Sequence, residues 1–399
     1  MRSIYFDVSI PRIFATKAFS KITPSVFFSR ISPIRYKELP DQTLPGPNWV
    51  RVKNILSGIC GSDISMFFVQ ANPKISMAAL PGLPRVFLGH EVIGQVIEAG
   101  SGVKDINLGD RVTLQRYLPC CSIKEIDPEC NPCQEGNYPL CENFSKGKMP
   151  SNLGAGFSDH FIAHRSQLLK VPDEITNEQA VMLEPTSVSL HAVLKHPPKE
   201  GEKVLVIGAG SIGLNVIQIA KIVNPRCSVY VLERFELKKE LSYKFGADYV
   251  LEGDIYKAVS EVTGGNLYMA PLKNNHILGG FDLIYDCVAS SNTIHDSMRW
   301  LKAKGTYVMI GAQLKPATFD HTPIFHQELT IVGVNSHGNE KYLGKKISSF
   351  ELAMEMILER KINLERFISH RFSLNKYREA FMLVKENPEK VVKVVFEIE

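Results

Sequence analysis

The eight cysteines of this 399-residue chain are unevenly spread. Cys120, Cys121, Cys130, Cys133 and Cys141 crowd one stretch, while Cys60, Cys227 and Cys287 stand apart. Cys130, Cys133 and Cys141 have C-x-x-C-x7-C spacing. In a long chain without a secretory leader, such clustering reads as metal binding rather than a disulfide frame. Four thiolates make a closed tetrahedral zinc site with no position for substrate. Such a site would fold a lobe that has little apolar core of its own. Cys120 and Cys121 compete for the fourth place. Cys121 is the simpler choice, because the stretch Ser122–Glu129 between it and Cys130 then need only bulge outward. The competing reading is a set of buried thiols without metal.

A second group lies upstream. Gly58–Asp63 reads GICGSD and Gly89–Glu91 reads GHE. Cys60 and His90 are a thiolate and an imidazole, the ligand types zinc favours. Alone, a cysteine and a histidine some distance apart carry little weight, since a lone histidine is more often a core or surface residue. Here Gly61 permits a close turn, and Asp63 could orient His90 as a carboxylate behind the metal.

A third pattern is Lys203–Leu214, KVLVIGAGSIGL. A buried-strand run leads into Gly208, Gly210 and Gly213 at G-x-G-x-x-G spacing, and a helical pattern follows. Gly208 would make the tight turn, Gly210 would admit a pyrophosphate, and Gly213 would let helix and strand pack closely. The N–H groups of the helix start, at Ser211 and Ile212, would face the phosphates. Glu233 ends the next strand about 20 residues on, where an acid accepts from ribose hydroxyls. That acid favours NAD. Arg234 follows it directly and keeps NADP open. Lys238 and Lys239 one turn later read as a solvated face. Val288, Ile310 and Gly311, at later strand ends, are further cofactor contacts.

These groups need a frame. Residues 40–190 read as β-rich, with strands at Val50–Ser57, Glu91–Ala99 and Arg111–Gln115 broken by Gly, Pro and Asp. From residue 200, strand runs (Val204–Ile207, Ser228–Leu232, Leu283–Asp286, Tyr307–Ile310) alternate with helical patterns (Ile212–Val223, Glu236–Phe245, Thr293–Leu301). That alternation predicts a parallel, helix-covered sheet and an α/β fold class. Phe350–Glu359 and Lys376–Val384 read as amphipathic helices, and Val391–Ile398 as a closing strand.

Length predicts two domains. Composition is that of a globular chain, 44% hydrophobic and 22% charged. The net charge of +4 is spread among interspersed acids, which argues against a nucleic-acid partner. No apolar run is long enough to span a bilayer, so no membrane partner is expected. From Met1 to Lys37 the only acid is Asp7, a pattern that can signal a targeting segment. The β-branched and aromatic content favours Ile4–Val8 and Phe14–Phe28 as early strands and loops, and hence a cytoplasmic protein.

In the order GICGSD, GHEVIGQVIEAGSGV, GDRV, the cysteine stretch, LEPTSVSLHAV, the glycine-rich run and SHRFSL, the chain resembles the zinc-containing medium-chain dehydrogenase/reductase family. The resemblance implies a GroES-like catalytic domain over 1–186 with a zinc lobe at about 116–145. It implies a Rossmann domain over 187–339 and a segment 340–399 returning to the first. It implies one catalytic and one structural zinc, a nicotinamide cofactor and a small alcohol as substrate. It places Cys60 and His90 as catalytic zinc ligands and Glu91 as a carboxylate able to join them. Glu184 stands where polyol-active members carry a Glu and ethanol-active members a Cys. The competing reading of Glu184 is an acid favoured by a helix start. Ser62 would receive the substrate proton. Two departures stand out: Ser65 occupies the place of a relay histidine, and VNSHG (Val334–Gly338) lacks the arginine of polyol-specific relatives. His337 is the candidate substitute donor. Met66, Phe67 and Phe68 read equally as an apolar cleft or as core. The family's dimers and tetramers suggest a homo-oligomer, with Leu329–Val334 at the interface. Two rivals are a zinc-free quinone or enoyl reductase of the same superfamily and a non-catalytic dinucleotide-binding protein.

Overall fold

The computed structural model describes residues 1–72 and 84–399. They form two compact units, Met1–Glu184 with Leu364–Glu399, and Pro185–Asn363. None of the described helices is long and apolar enough to cross a membrane.

The first unit is built on a mixed sheet. The strand Trp49–Gly58 pairs antiparallel with Glu91–Ala99, His160–His164 and Lys393–Glu397. Its side chains alternate because one face is buried: Val50 and Val52 are fully buried, while Lys53 is exposed. The register sets Gly58 opposite Glu91. Whatever follows Gly58 is therefore next to whatever precedes Glu91, and this brings the sequence-distant GICGSD and GHE together. A second sheet pairs Arg2–Asp7 with Ile34–Glu38 and Arg85–Phe87. Between them lies an aromatic core in which Phe67 stacks on Phe381 at 3.9 Å and meets Phe68 edge-on.

The second unit holds a six-stranded parallel sheet. Its strands run in the order Tyr249–Val250, Ser228–Leu232, Lys203–Ile207, Phe281–Asp286, Leu301–Met309, Thr330–Gly333. This is the 3-2-1-4-5-6 order of a Rossmann sheet. The direction of winding reverses between Lys203–Ile207 and Phe281–Asp286, so a ligand crevice is expected beyond their carboxyl ends.

Two expectations need correction. The stretch Phe14–Phe28 is not strand and loop. It forms a helix, Ile10–Phe19, and a 3-10 turn, Pro24–Phe28, because Ile13, Thr16, Val26 and Phe27 turn into the core. The return to the first unit comes at Leu364, not at 340. Residues 340–363 stay with the second unit, where Glu340 is buried against His191 and Ser349. Of the two readings left open for Phe67 and Phe68, the structure shows the core one.

Candidate functional site

Cys60 follows the strand Trp49–Gly58 and caps the short helix Gly61–Phe67. His90 directly precedes the strand Glu91–Ala99. Donor atoms of Cys60, His90 and Glu91 lie within 4.8 Å of one another. Glu184, in the first turn of the helix Leu183–Lys195, sets Oε1 4.0 Å from His90 Nε2. Asp63 is buried and ties the two ligand-bearing segments. Its Oδ2 accepts from the Cys60 N–H at 2.9 Å and its Oδ1 from the Gly89 N–H at 3.1 Å. The same Oδ1 is 4.0 Å from His90 Nδ1, the place of an orienting carboxylate. Tyr117 stacks on the His90 ring with centroids 4.5 Å apart. The Ser62 hydroxyl hydrogen-bonds to the Cys60 thiol, and Ser65 is half-buried one turn further along the same helix.

This group carries more negative charge than burial tolerates. Burial, with Glu91 and Asp63 beside it, pushes the Cys60 thiol up to about 12. Burial, opposed by His90 and reinforced by Cys60 and Glu91, lifts Glu184 to about 8. Burial works against charge on His90, but Asp63, Glu184 and Glu91 together outweigh it and raise its pKa. One thiol, one imidazole and several carboxylates gathered out of water form a donor set for a divalent cation, and the ligand types fit zinc.

Glu91 is already engaged. Lys393 Nζ lies 2.7 Å from Oε1 and 2.6 Å from Oε2, and donates also to the Ile59 carbonyl. Lys393 and Glu91 are 3% and 1% exposed, so the pair is shielded from water. Gly58 makes the arrangement possible, since a Cβ there would stand 2.2 Å from Glu91 Oε2. Sequence reading missed Lys393. The available signal was a lysine inside the apolar run VVKVVF, where an unpaired ammonium would be costly.

The cysteine stretch forms a second cluster, Cys121, Cys130, Cys133 and Cys141. The Sγ–Sγ separations are 3.7 Å for Cys121–Cys130, 3.7 Å for Cys121–Cys141 and 3.9 Å for Cys130–Cys141. Four thiolates around one zinc at about 2.3 Å put neighbouring sulfurs about 3.8 Å apart, so the lobe has the dimensions of that site. The Cys130 N–H and the Asn143 side-chain amide both donate to Cys121 Sγ. The fifth thiol, Cys120, is fully buried outside the group.

In the second unit, the loop after Lys203–Ile207 carries the glycines. Gly208 has φ of +83°, and a Cβ at Gly213 would fall 1.8 Å from the Gly208 carbonyl oxygen. The close helix–strand approach read from the sequence is therefore present. A Cβ at Gly210 would meet nothing within 4 Å, leaving open space before the amides of Ser211 and Ile212. That space suits a pyrophosphate at the helix start. Glu233 accepts from the Ala209 N–H at 2.8 Å and from the Arg234 and Phe235 N–H groups. Its carboxylate thus sits against the glycine loop, and the Arg234 guanidinium lies over the Phe235 ring.

Across the winding reversal, Val288 packs toward Gly208. The N–H groups of Ile310 and Gly311 both donate to the Asp286 carbonyl. Asp286, fully buried and unforeseen, accepts from the Val288 and Ala289 N–H groups and from the Tyr307 hydroxyl. It fixes the strand-end loop that Val288 belongs to. His337 is buried edge-on to Phe350.

Comparison with known proteins gives these two constellations a family. The alcohol dehydrogenase GroES-like domain matches residues 46–173, and the zinc-binding dehydrogenase domain matches residues 211–357. The chain is a zinc-containing medium-chain dehydrogenase of the alcohol dehydrogenase superfamily. It is 28% identical to a sorbitol dehydrogenase of Halalkalibacterium halodurans over 88% of this chain and 92% of that one. It is also 28% identical to an L-threonine 3-dehydrogenase of Pyrococcus horikoshii over 89% of this chain and 93% of that one. A Sinorhizobium meliloti structure solved with NADP bound shares 26% identity at a TM-score of 0.67, covering 91% of this chain and 95% of that one. A 2R,3R-butanediol dehydrogenase of Bacillus subtilis has the same fold, with a TM-score of 0.70 over 92% of this chain and 96% of that one at 23% identity.

Proposed function

We propose that this dehydrogenase transfers a hydride between a small alcohol, a polyol, diol or secondary alcohol, and a nicotinamide cofactor. The observation that carries the reading is the meeting of Cys60, His90 and Glu184 with Glu91 and Asp63 in one buried group. A quinone or enoyl reductase without zinc has no use for that donor set, nor does a protein that only binds dinucleotide. The sorbitol dehydrogenase relative and the Glu at position 184 support the polyol side of the substrate range.

Cys60, His90 and Glu184 would hold the catalytic zinc, while Lys393 keeps Glu91 beside it. When bound, zinc supplies Lewis acidity that lowers the pKa of an alcohol hydroxyl, and the nicotinamide ring supplies the hydride acceptor. Ser62 Oγ takes the hydroxyl proton, and Ser65 is the next hydroxyl along the helix. Asp63 keeps the His90 ring and the Cys60 backbone in place. Gly208, Gly210 and Gly213 shape the loop, the amides of Ser211 and Ile212 bind the pyrophosphate, and Glu233 accepts from the ribose hydroxyls. A 2′-phosphate would meet the Glu233 carboxylate, which favours NAD over NADP. Val288, Ile310 and Gly311 border the nicotinamide end. Cys121, Cys130, Cys133 and Cys141 would hold a second, structural zinc. The strand Thr330–Gly333, at the sheet edge with Ile331 exposed, suits a homo-oligomeric contact.

The test is cofactor reduction by purified zinc-replete protein against a panel of polyols, diols and secondary alcohols, with NAD and NADP in parallel. Turnover on a member of the panel, faster with NAD, is expected. Zinc in place with no turnover on any member would leave dinucleotide binding without catalysis.

A further inference from the structure

Arg2–Asp7 and Ile34–Glu38 pair antiparallel as far as Phe6 opposite Ile34. Two residues suffice to join such strands. Here residues 7–33 intervene, a length at which a connection usually has a role of its own. They lie ahead of the region that matches the GroES-like domain.

The insertion has two faces. Inward, Ile13 and Thr16 are buried on the core. Outward, Ile10 and Phe14, one turn apart on the helix, are 55% and 53% exposed, and Ile22, in the turn that follows the helix, is 80% exposed. A group of large apolar side chains in water differs from scattered single ones and marks an interaction surface.

Positive charge gathers where the insertion meets the strand Ile34–Glu38. The Arg12 guanidinium, at 2.7 Å, and the Arg35 guanidinium, at 3.1 Å, both donate to the Arg30 carbonyl. No Asp or Glu occurs between Asp7 and Glu38. Among the described residues, Arg12, Arg30 and Arg35 have no carboxylate partner. Two guanidinium groups held together in a segment without an acid call for an external anion.

We propose that this insertion docks the enzyme on the surface of an anionic phospholipid membrane. The helix lies in the interface, with Ile10, Phe14 and Ile22 entering the acyl boundary and Arg12, Arg30 and Arg35 meeting lipid phosphates. Charge argues against a second copy of this chain as the occupant, since a two-fold contact would bring two basic, acid-free segments into one interface. The expectation of no membrane partner rested on the lack of a spanning segment, and surface docking needs none.

The experiment is co-sedimentation of the full-length enzyme with vesicles of phosphatidylcholine alone or mixed with phosphatidylglycerol. Binding to the mixed vesicles only, weakened by salt, is expected. The Phe14→Ser/Ile22→Ser variant and the Arg12→Gln/Arg35→Gln variant should each lose at least about tenfold in vesicle affinity, a loss of about 1.4 kcal/mol. Both should keep the wild-type turnover and thermal midpoint, which report intact folding of the unit that carries the insertion. Failure of the wild type to sediment with the mixed vesicles, equal binding to both vesicle types, or unchanged binding by the variants would overturn the proposal. So would a fall in oligomer size in the apolar variant without vesicle binding by the wild type, which would assign the face to a second copy.

Discussion

Lys393 Nζ bridges both carboxylate oxygens of Glu91, at 2.7 and 2.6 Å, in a site nearly closed to water. The pair joins the C-terminal strand Lys393–Glu397 to the first residue of Glu91–Ala99, beside Cys60 and His90. Burying both charges is expensive, and only their mutual contact offsets it. Removing one partner leaves the other stranded.

Lys393→Met is therefore expected to lower unfolding stability by about 3–5 kcal/mol. Adding Glu91→Gln should recover much of that loss, because no buried charge is then left alone. Denaturant unfolding of the two single variants and the double variant checks this. Additive losses would mean that the pair is not coupled.

Cys130→Ser should remove about one zinc per chain and lower the thermal midpoint, whereas Cys120→Ser should leave metal content unchanged. Metal analysis of the two purified variants decides it. Loss of zinc in the Cys120 variant would place that thiol in the ligand set instead of Cys121.

Replacing Glu233 with Gln should weaken NAD relative to NADP by tenfold or more, in keeping with roughly 1.5–3 kcal/mol for a hydrogen bond to a charged group. Part of the loss comes through the loop, since the carboxylate also accepts from the Ala209 N–H. Titration with both cofactors measures the ratio. An unchanged ratio would mean that Glu233 does not reach the ribose.

What could be read in advance follows from how local each signal was. Ser228–Leu232 and Glu91–Ala99 were legible because burial imposes a continuous or alternating apolar pattern on a strand. The glycine loop was legible because Gly208 and Gly213 each answer a backbone need that no other residue meets. Ile10–Phe19 was not, because its Ile and Phe content favours strand while docking of Ile13 and Thr16 favours helix. The hairpins Asn266–Leu278 and Asn339–Ser348 are built of strands of only three and four residues, too short to show a period. Of the site, the donor types at Cys60, His90 and Glu184 could be named, but not their juxtaposition with Lys393. That contact spans most of the chain and depends on strand pairing between distant segments.

Cys60→Ala should abolish turnover and leave dinucleotide affinity near that of the wild type, because Cys60 belongs to Met1–Glu184 and the glycine loop to Pro185–Asn363. Parallel kinetics and cofactor titration check this. Surviving activity would remove Cys60 from the metal site.

The most direct measurement follows cofactor reduction by one preparation on its best alcohol before zinc removal, after it, and after zinc is restored. Turnover should vanish with the metal and return with it, while dinucleotide affinity stays constant throughout. Turnover that persists in zinc-free protein would contradict the zinc-dependent account.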